Sequence, residues 1–150
     1  MPRRRRAAPA TPSLHSLLNQ ASRQMTSELR RVVGSEGLPV EFWRVLEVLA
    51  DERGRSMSEL AGEIGMQLPA TSKVVDRMTE VALIQRSADP ADQRRVILHI
   101  SDFGLQKFNA LGDEIREHRN RLESAFSPQQ EQRLRRLLSD FIQAHQREAG

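Results

Sequence analysis

The chain of 150 residues is long enough for one hydrophobic core, and it contains no cysteine, which excludes disulfides, thiolate metal sites and cysteine redox sensing. Its formal net charge is +3, and Arg3 to Arg6 supply +4 of this, which leaves −1 for the rest of the chain. Nucleic-acid binding would therefore need an oriented basic patch rather than bulk charge.

Residues 1–13 combine the arginine run with alanine and three prolines, a composition that predicts a disordered basic tail. The run either adds nonspecific phosphate contacts or serves only as a soluble tail. No stretch has the apolar length of a membrane span, and the arginine-rich start lacks the apolar run of a secretory signal. We therefore expect a cytoplasmic protein with no membrane partner.

Two helices are predicted before the middle of the chain. Residues 14–33 carry one continuous apolar stripe, and residues 34–37 break it. A second helix is expected over residues 39–49, with four apolar side chains facing inward and Trp43 beside them. The stripe residues are Leu14, Leu17, Leu18, Ala21, Met25, Leu29 and Val32 in the first helix, and Phe42, Val45, Leu46 and Leu49 in the second.

The next segment has the pattern of a helix-turn-helix. Ser56 and Glu59 have the spacing of a capping box, a short helix follows over residues 58–64, and Gly65 can end it in a left-handed conformation. A second helix can begin near Pro69, since proline is tolerated in a first helical turn.

This second helix is amphipathic. Thr71, Val74, Val75 and Met78 recur at helical spacing and predict a buried stripe. The other face could lie in the major groove of DNA as a recognition helix, or it could be the solvated face of an ordinary amphipathic helix. The residues of that face are Pro69, Ala70, Ser72, Lys73, Asp76 and Arg77.

Two strands are predicted after the helix pair, over residues 84–86 and 96–100. The loop between them carries turn residues and the adjacent Arg94 and Arg95. A basic loop at the tip of such a ribbon, called a wing, can reach into a DNA minor groove. The alternative is a solvated hairpin in which Asp92 pairs with an arginine. The two interpretations are compatible, since Asp92 could brace one arginine and thereby preorganise the other for DNA.

Downstream, Ser101 or Asp102 is expected to cap one long helix that continues to about Phe126. Ser127 and Pro128 mark a restart, and the last helix is expected to end near Gln146. The helices over residues 14–33 and 102–146 carry more apolar surface than the small winged unit can cover. We therefore expect a homodimer built from them, with an intramolecular bundle as the alternative.

The segment from residue 58 to residue 104 resembles the MarR family, the multiple antibiotic resistance regulators. The resemblance is carried by Asp92-Gln93-Arg94 and by Ile100-Ser101-Asp102-Phe103-Gly104, which match the family's wing signature of Asp-x-Arg followed by Leu-Thr-x-x-Gly. Ser101 replaces the threonine, and Ala82 stands where the family usually has glycine. The resemblance extends over nearly the whole chain.

This resemblance implies a mainly α fold with a small two- to three-stranded β wing, that is, a winged helix-turn-helix with a helical dimerisation layer. Residues 14–150 would form a single domain, with the winged helix-turn-helix at about residues 40–101. The implied function is a transcriptional regulator, in particular a repressor, whose dimer reads a pseudo-palindromic operator in double-stranded DNA. The expected DNA-binding residues are Pro69, Ala70, Thr71, Ser72, Lys73, Arg77, Arg94 and Arg95, with Asp92 bracing the wing.

The resemblance also implies a ligand-responsive protein that binds a small aromatic or phenolic acid. His15, Trp43 and Arg44 are the candidate lining residues, because they offer an aromatic plane and cations for a carboxylate. The alternative is that Trp43 belongs to the core and His15 is solvated. No cofactor and no structural metal are expected, since the four histidines, His15, His99, His118 and His145, lie far apart in the sequence.

Two other classes of function compete with DNA binding. The chain has no glycine-rich phosphate loop and no Ser, His and acid order typical of hydrolases, so we do not expect an enzyme. A winged-helix module that contacts other proteins, without specific DNA binding, is the alternative that fold alone does not exclude.

Overall fold

A computed structural model describes residues 11–148 of the chain, so Arg3 to Arg6 and most of the expected tail lie outside the described residues. Within this range the chain forms seven helices and three strands, which confirms the predicted fold class. None of these helices is long and apolar enough to cross a membrane. The elements are α1 (Leu14–Gly34), α2 (Val40–Leu49), β1 (Arg55–Ser56), α3 (Met57–Ile64), α4 (Leu68–Glu80), β2 (Ile84–Ala88), β3 (Val96–Ile100), α5 (Asp102–Ala110), α6 (Gly112–Glu123) and α7 (Pro128–Glu148).

The helix ends follow the local signals in the sequence. At the start of α3, Ser56 Oγ accepts from the Glu59 N–H at 3.3 Å and Glu59 Oε2 accepts from the Ser56 N–H at 2.7 Å, so the predicted capping box is confirmed. Gly65 ends α3 with φ of 66°, in the left-handed region. Ser101 caps α5, and Ser127 Oγ accepts from the Gln130 N–H at 3.2 Å at the start of α7.

The wing belongs to a three-stranded antiparallel sheet of order β1-β3-β2. β2 and β3 pair from Ile84 opposite Ile100 to Ala88 opposite Val96. β1 pairs Arg55 with Leu98 on the other edge of β3. A strand of two residues has no detectable alternation, so only tertiary pairing with β3 defines it.

The single long helix predicted after the wing is wrong, because the chain divides into α5 and α6 at Leu111. Leu111 is 1% exposed and packs with Trp43 and Ile115, while Gly112, a weak helix former, follows it directly. Phe108, one turn earlier, stacks on Trp43 with ring centroids 4.7 Å apart. The apolar spacing continues across the break, and this is why periodicity alone did not reveal it.

The hydrophobic side chains form two clusters that meet along α2. The first fills the winged lobe (residues 40–101), where α2, α3, α4 and the sheet pack together. The second joins α2 to α1, α5 and α6, and its buried members are Val33, Val40, Trp43, Leu111 and Ile115. α2 thus connects the winged lobe to the helical layer, which we define as α1, α6 and α7.

The winged lobe and α5 also meet at the turn between α4 and β2. Ser101 Oγ donates to the carbonyl of Ala82 at 2.6 Å, and the Ser101 N–H donates to the carbonyl of Leu83 at 3.1 Å. A Cβ atom on Gly104 would lie 2.1 Å from the same Leu83 oxygen, so only glycine allows this approach. Ala82 itself has φ of 59°, which explains why the family usually places glycine there.

Ala82→Gly should stabilise the protein. The left-handed conformation costs an L-residue roughly 1–2 kcal/mol, and the larger unfolded-state entropy of glycine offsets part of this. We expect a net gain of about 0.5–1 kcal/mol in the free energy of unfolding, measured by urea denaturation at fixed protein concentration. Gln143→Gly, exposed on the face of α7 opposite its apolar stripe, is the control and should instead lose about 0.5 kcal/mol, because glycine is the weaker helix former. A loss of stability in both variants would contradict the strain at Ala82.

Candidate nucleic-acid interface

One face of α4 is open to solvent along the helix. Pro69, Ala70, Lys73 and Arg77 are exposed on it, and Ser72 is half-buried. Gln67 precedes the helix without a side-chain cap, so the N-terminal backbone N–H groups are not covered by a capping side chain. The opposite stripe of α4 packs into the core of the lobe, as predicted. The helix therefore presents a small, partly basic surface that starts at its N-terminal turn.

Thr71 must be removed from the expected DNA-binding residues. It is fully buried, and its hydroxyl donates to the carbonyl of Gln67 at 3.0 Å. The hydroxyl is thus occupied within the first turn of the helix and is not accessible to a base edge or phosphate. The sequence placed Thr71 in the buried stripe, and the structure shows that this role excludes a contact with DNA.

Arg77 is held by an aromatic ring rather than by its acidic neighbour. Its guanidinium carbon lies 5.0 Å from the centroid of the Phe42 ring in α2, a cation–π arrangement. Asp76, the neighbour of Arg77 in sequence, accepts a hydrogen bond from Arg86 of β2. Arg86 was not among the expected site residues. Asp76 was the signal in the sequence that could have identified Arg86. An acidic residue on an otherwise basic helix face is repelled by DNA phosphates unless a nearby cation pairs with it.

Two aspartates order the loop of the wing through its backbone. Asp92 Oδ1 accepts from the Arg94 N–H at 3.1 Å, and Asp89 Oδ1 accepts from the Ala91 N–H at 2.9 Å. The main chain closes the loop, since the Asp89 N–H donates to the Arg95 carbonyl at 2.9 Å. Asp92 therefore braces the wing, but by capping a backbone N–H and not by an ion pair with an arginine.

The two arginines of the wing have different surroundings. Arg95 lies 3.9 Å from Asp89 and 3.9 Å from Glu59 of α3, so its guanidinium links the loop to the winged lobe. Arg94 is exposed and forms no ion pair within the described part of the chain. Arg94 is thus the side chain that can leave the surface and enter a minor groove, whereas Arg95 is partly committed to the wing.

An ion-pair cluster fixes the start of α3 behind the wing. Arg55 donates to Asp51 Oδ2 at 2.8 Å and to Glu63 Oε1 at 2.7 Å, and its side chain is 16% exposed. These hydrogen bonds raise the pKa of Arg55 and lower the pKa of Asp51. The pKa of Glu59 is lowered chiefly by the Ser56 backbone N–H of the capping box. All three groups stay charged near neutral pH, so this part of the lobe does not switch with modest changes of pH.

The three expected ligand residues do not come together within one chain. Trp43 is 1% exposed and its ring is stacked on Phe108, so it belongs to the core. Arg44 donates to Thr26 Oγ1 of α1 at 3.2 Å, whereas His15 is exposed and bonded to Asn19. Thr26 lies eleven positions after His15 in α1, a distance of about 16 Å along the helix axis.

A different concave surface lies between α1 and α6. This cleft has a volume of about 710 Å³ and is lined by both charged and apolar side chains. His118 is 5% exposed there, with Nδ1 4.0 Å from Glu28 Oε2. Arg31 and Arg121 add two cations, and the remaining lining residues are Gln24, Val32, Leu122 and Ala125. Within residues 11–148 no group of three or more His, Asp or Glu side chains is placed to hold a metal ion.

Comparisons with known proteins agree with the architecture. The family model described as "MarR family" matches residues 36–95, which span most of the winged lobe. The HTH-type transcriptional repressor IacR of Pseudomonas putida is 31% identical over 113 residues, covering 75% of this chain and 68% of that protein. The homoprotocatechuate degradative operon repressor of Escherichia coli is 27% identical over 130 residues, covering 87% of this chain and 88% of that one.

The fold also matches a solved structure. The crystal structure of NadR in complex with 4-hydroxyphenylacetate superposes with a TM-score of 0.79 and 22% sequence identity. The match covers 95% of this chain and 98% of NadR, so the helical layer and the winged lobe are both included.

The different surroundings of Arg94 and Arg95 predict different effects on DNA binding. Arg94→Ala should weaken binding to a specific duplex by roughly 1–3 kcal/mol, because an inserted minor-groove cation is lost. Arg95→Ala should reduce DNA affinity less, because the Arg95 guanidinium lies beside Asp89 and Glu59, where it orders the wing, and is less available to DNA. Both are measured by fluorescence-polarisation titration at physiological salt, with Gln93→Ala as the uncharged control in the same loop. If Arg94→Ala and the wild type bind the duplex with equal affinity, Arg94 is not a minor-groove contact.

Proposed function

The chain belongs to the MarR family, and we propose that it is a sequence-specific, double-stranded DNA-binding transcriptional regulator that acts as a repressor. The observation that carries the proposal is the joint exposure of two elements, the polar face of α4 and the Arg94 side chain of the wing. A helix of this kind can enter a major groove, while the wing reaches the flanking minor groove. The similarity to IacR and to the homoprotocatechuate repressor supports the same class of function.

The groove-facing set is Pro69, Ala70, Ser72, Lys73 and Arg77, and Arg94 acts at the minor groove. Pro69 and Ala70 bring the N-terminal turn close to base edges and to thymine methyl groups. Ser72 and Lys73 supply a hydroxyl and a cation for phosphate or base contacts. Arg77, held against the Phe42 ring, has fewer conformations to lose when it binds.

We further propose that the functional unit is a homodimer formed through the helical layer. No side chain of α7 that the structure describes is buried, although the helix carries a complete apolar stripe. Leu137 is 57% exposed and Ile142 54% exposed in this stripe, and Leu14 of α1 is 64% exposed. Exposed apolar surface of this extent on two helices of one layer favours a twofold-related second copy.

A twofold dimer explains repression in physical terms. Two α4 helices can enter successive major grooves about 34 Å apart and so read a pseudo-palindrome. A dimer bound across a promoter excludes polymerase without any additional contact. The single-domain organisation, with the winged helix-turn-helix at about residues 40–101 between the two parts of the helical layer, is part of this proposal.

The effector that we propose is a small aromatic carboxylate. NadR was solved with 4-hydroxyphenylacetate, and the E. coli relative represses a homoprotocatechuate degradative operon. The cleft between α1 and α6 is the candidate site, because Arg31 and Arg121 can meet a carboxylate while Val32 and Leu122 offer apolar contact. Since the cleft lies on the helical layer, a bound acid can favour a dimer with wrongly spaced α4 helices. The extent of release is limited by its differential affinity for the two dimer states.

DNA binding and effector release are tested in one titration. The purified protein is titrated against the duplex upstream of its own gene and against a scrambled duplex at two salt concentrations. We expect preferential binding to the upstream duplex, steep salt dependence, and release by 4-hydroxyphenylacetate. Arg31→Ala should remove the release and leave DNA affinity unchanged. Equal weak binding to both duplexes would overturn specific DNA binding in favour of a winged-helix protein-interaction module.

The dimer is tested by mass in solution. Sedimentation at micromolar concentration should give twice the 17.1 kDa of one chain. Leu137→Glu should shift the mass towards the monomer, because it places a charge in the buried centre of the interface. Gln143→Glu, on the opposite face of α7, is the control and should leave the dimer intact. A wild-type monomer at these concentrations would defeat the dimer whatever the variants do.

A further inference from the structure

An acidic side chain lies in the middle of the exposed face of α4. Asp76 follows Pro69 by seven residues and Lys73 by three, so the three side chains share one face of the helix. Its side chain is 55% exposed. An anion at this position is costly for a DNA-binding surface, since phosphates and most base edges in the major groove present negative charge or acceptors. Nonspecific attraction to DNA therefore does not account for Asp76.

Arg86 holds the Asp76 carboxylate in a fixed direction. Arg86 lies on β2, and its Nη2 donates a hydrogen bond to Asp76 Oδ1. The arrangement leaves Oδ2 without a donor among the described residues. Exposed ion pairs of this kind stabilise a fold little, and the side chain of Arg86 is itself 40% exposed. The geometry instead presents one ordered acceptor oxygen on the surface that faces DNA.

We propose that Asp76 is a specificity-determining residue that selects a cytosine in each half-site, an inference that rests on the proposed DNA-binding function. The N4 amino group of cytosine is a donor in the major groove, and Asp76 Oδ2 is a matching acceptor. Guanine N7 and O6 and thymine O4 are acceptors and repel the carboxylate. Adenine offers an N6 donor, but its N7 acceptor lies beside it. The carboxylate is thus attracted to cytosine and is repelled, wholly or in part, by the other three bases. Repulsion of this kind lets a protein exclude competing sequences.

Arg86 acts through Asp76 as a positioning residue. It neutralises part of the charge of the carboxylate, which reduces repulsion from neighbouring phosphates. It also fixes the direction of Oδ2 and connects the recognition helix to the first strand of the wing. A discriminating hydrogen bond requires this order, because a freely rotating carboxylate would meet several base edges with similar energy.

The test is selection of duplexes from a random pool, with wild type and variants compared by the enriched sequences. Asp76→Ala should reduce the cytosine preference at one position of each half-site roughly tenfold and should raise the affinity for scrambled duplex. Asp76→Asn should move the preference at that position from cytosine to adenine, because an amide pairs with adenine N6 and N7. Glu80→Gln removes a carboxylate from the same face at the C-terminal end of α4, and it is the matched control that should leave the motif unchanged.

The positioning role has its own readout. Arg86→Gln should weaken the same cytosine preference with no change at other positions of the motif, and Arg86→Lys should restore part of it. Melting temperatures of all variants show whether the fold is retained, as expected for exposed positions. An unchanged preference in Arg86→Gln would remove the role of Arg86.

The outcomes separate this inference from the proposed function. If the wild type enriches a pseudo-palindrome and Asp76→Asn enriches the same motif with the same cytosine, only the role of Asp76 is overturned. If the wild type enriches no sequence, both the proposed function and this inference are overturned.

Discussion

Ser101 and Gly104 hold the first turn of α5 against the backbone of Ala82 and Leu83, and the orientation of the winged lobe relative to the helical layer depends on this contact. The Ser101 side chain both donates to Ala82 and accepts from the Gly104 N–H, at 2.6 and 2.9 Å. The absent Cβ of Gly104 lets the helix approach the Leu83 carbonyl. Together with the α2 helix, which contributes to both hydrophobic clusters, this junction makes the two parts of the chain one mechanical unit. In the proposed mechanism, this junction and α2 are the contacts through which a change in dimer geometry would reach α4.

The charged residues of the winged lobe divide into those that hold the structure and those that remain available. Arg55 and Arg95 are paired with acids, and Arg86 is paired with Asp76. Lys73 and Arg94 remain exposed on the two elements that can reach DNA. Lys73 and Arg94 are thus available to phosphates and base edges without breaking an ion pair within the described part of the chain. This distribution favours an oriented approach to DNA over indiscriminate attraction.

The helical layer illustrates a different constraint. α7 extends from the end of α6, where Arg135 pairs with Glu123 at 2.7 Å, and its apolar stripe is not covered by any other element within residues 11–148. The cleft between α1 and α6 lies in the same layer and contains both charge and apolar surface. In the proposed dimer, the geometry of this layer would change when a ligand binds, because an interface between two copies can repack without unfolding the lobe.

The amino-acid sequence by itself determined the helix-turn-helix, its capping box, the left-handed Gly65 and the buried stripe of α4. These features depend on spacing along a few turns, where local physical chemistry acts directly. The Asp-x-Arg motif likewise placed Arg94 at the tip of the wing. Tertiary structure decided the third strand, the break at Leu111, the burial of Trp43 and the loss of Thr71 as a contact. It also decided that Asp92 caps a backbone N–H and that Asp76 pairs with Arg86. The third strand, the break at Leu111 and the burial of Trp43 depend on residues distant in sequence, and periodicity carries no information about such partners. Asp92 and Thr71 bond to near neighbours, at Arg94 and Gln67, but the loop closure and the burial that fix these bonds are tertiary.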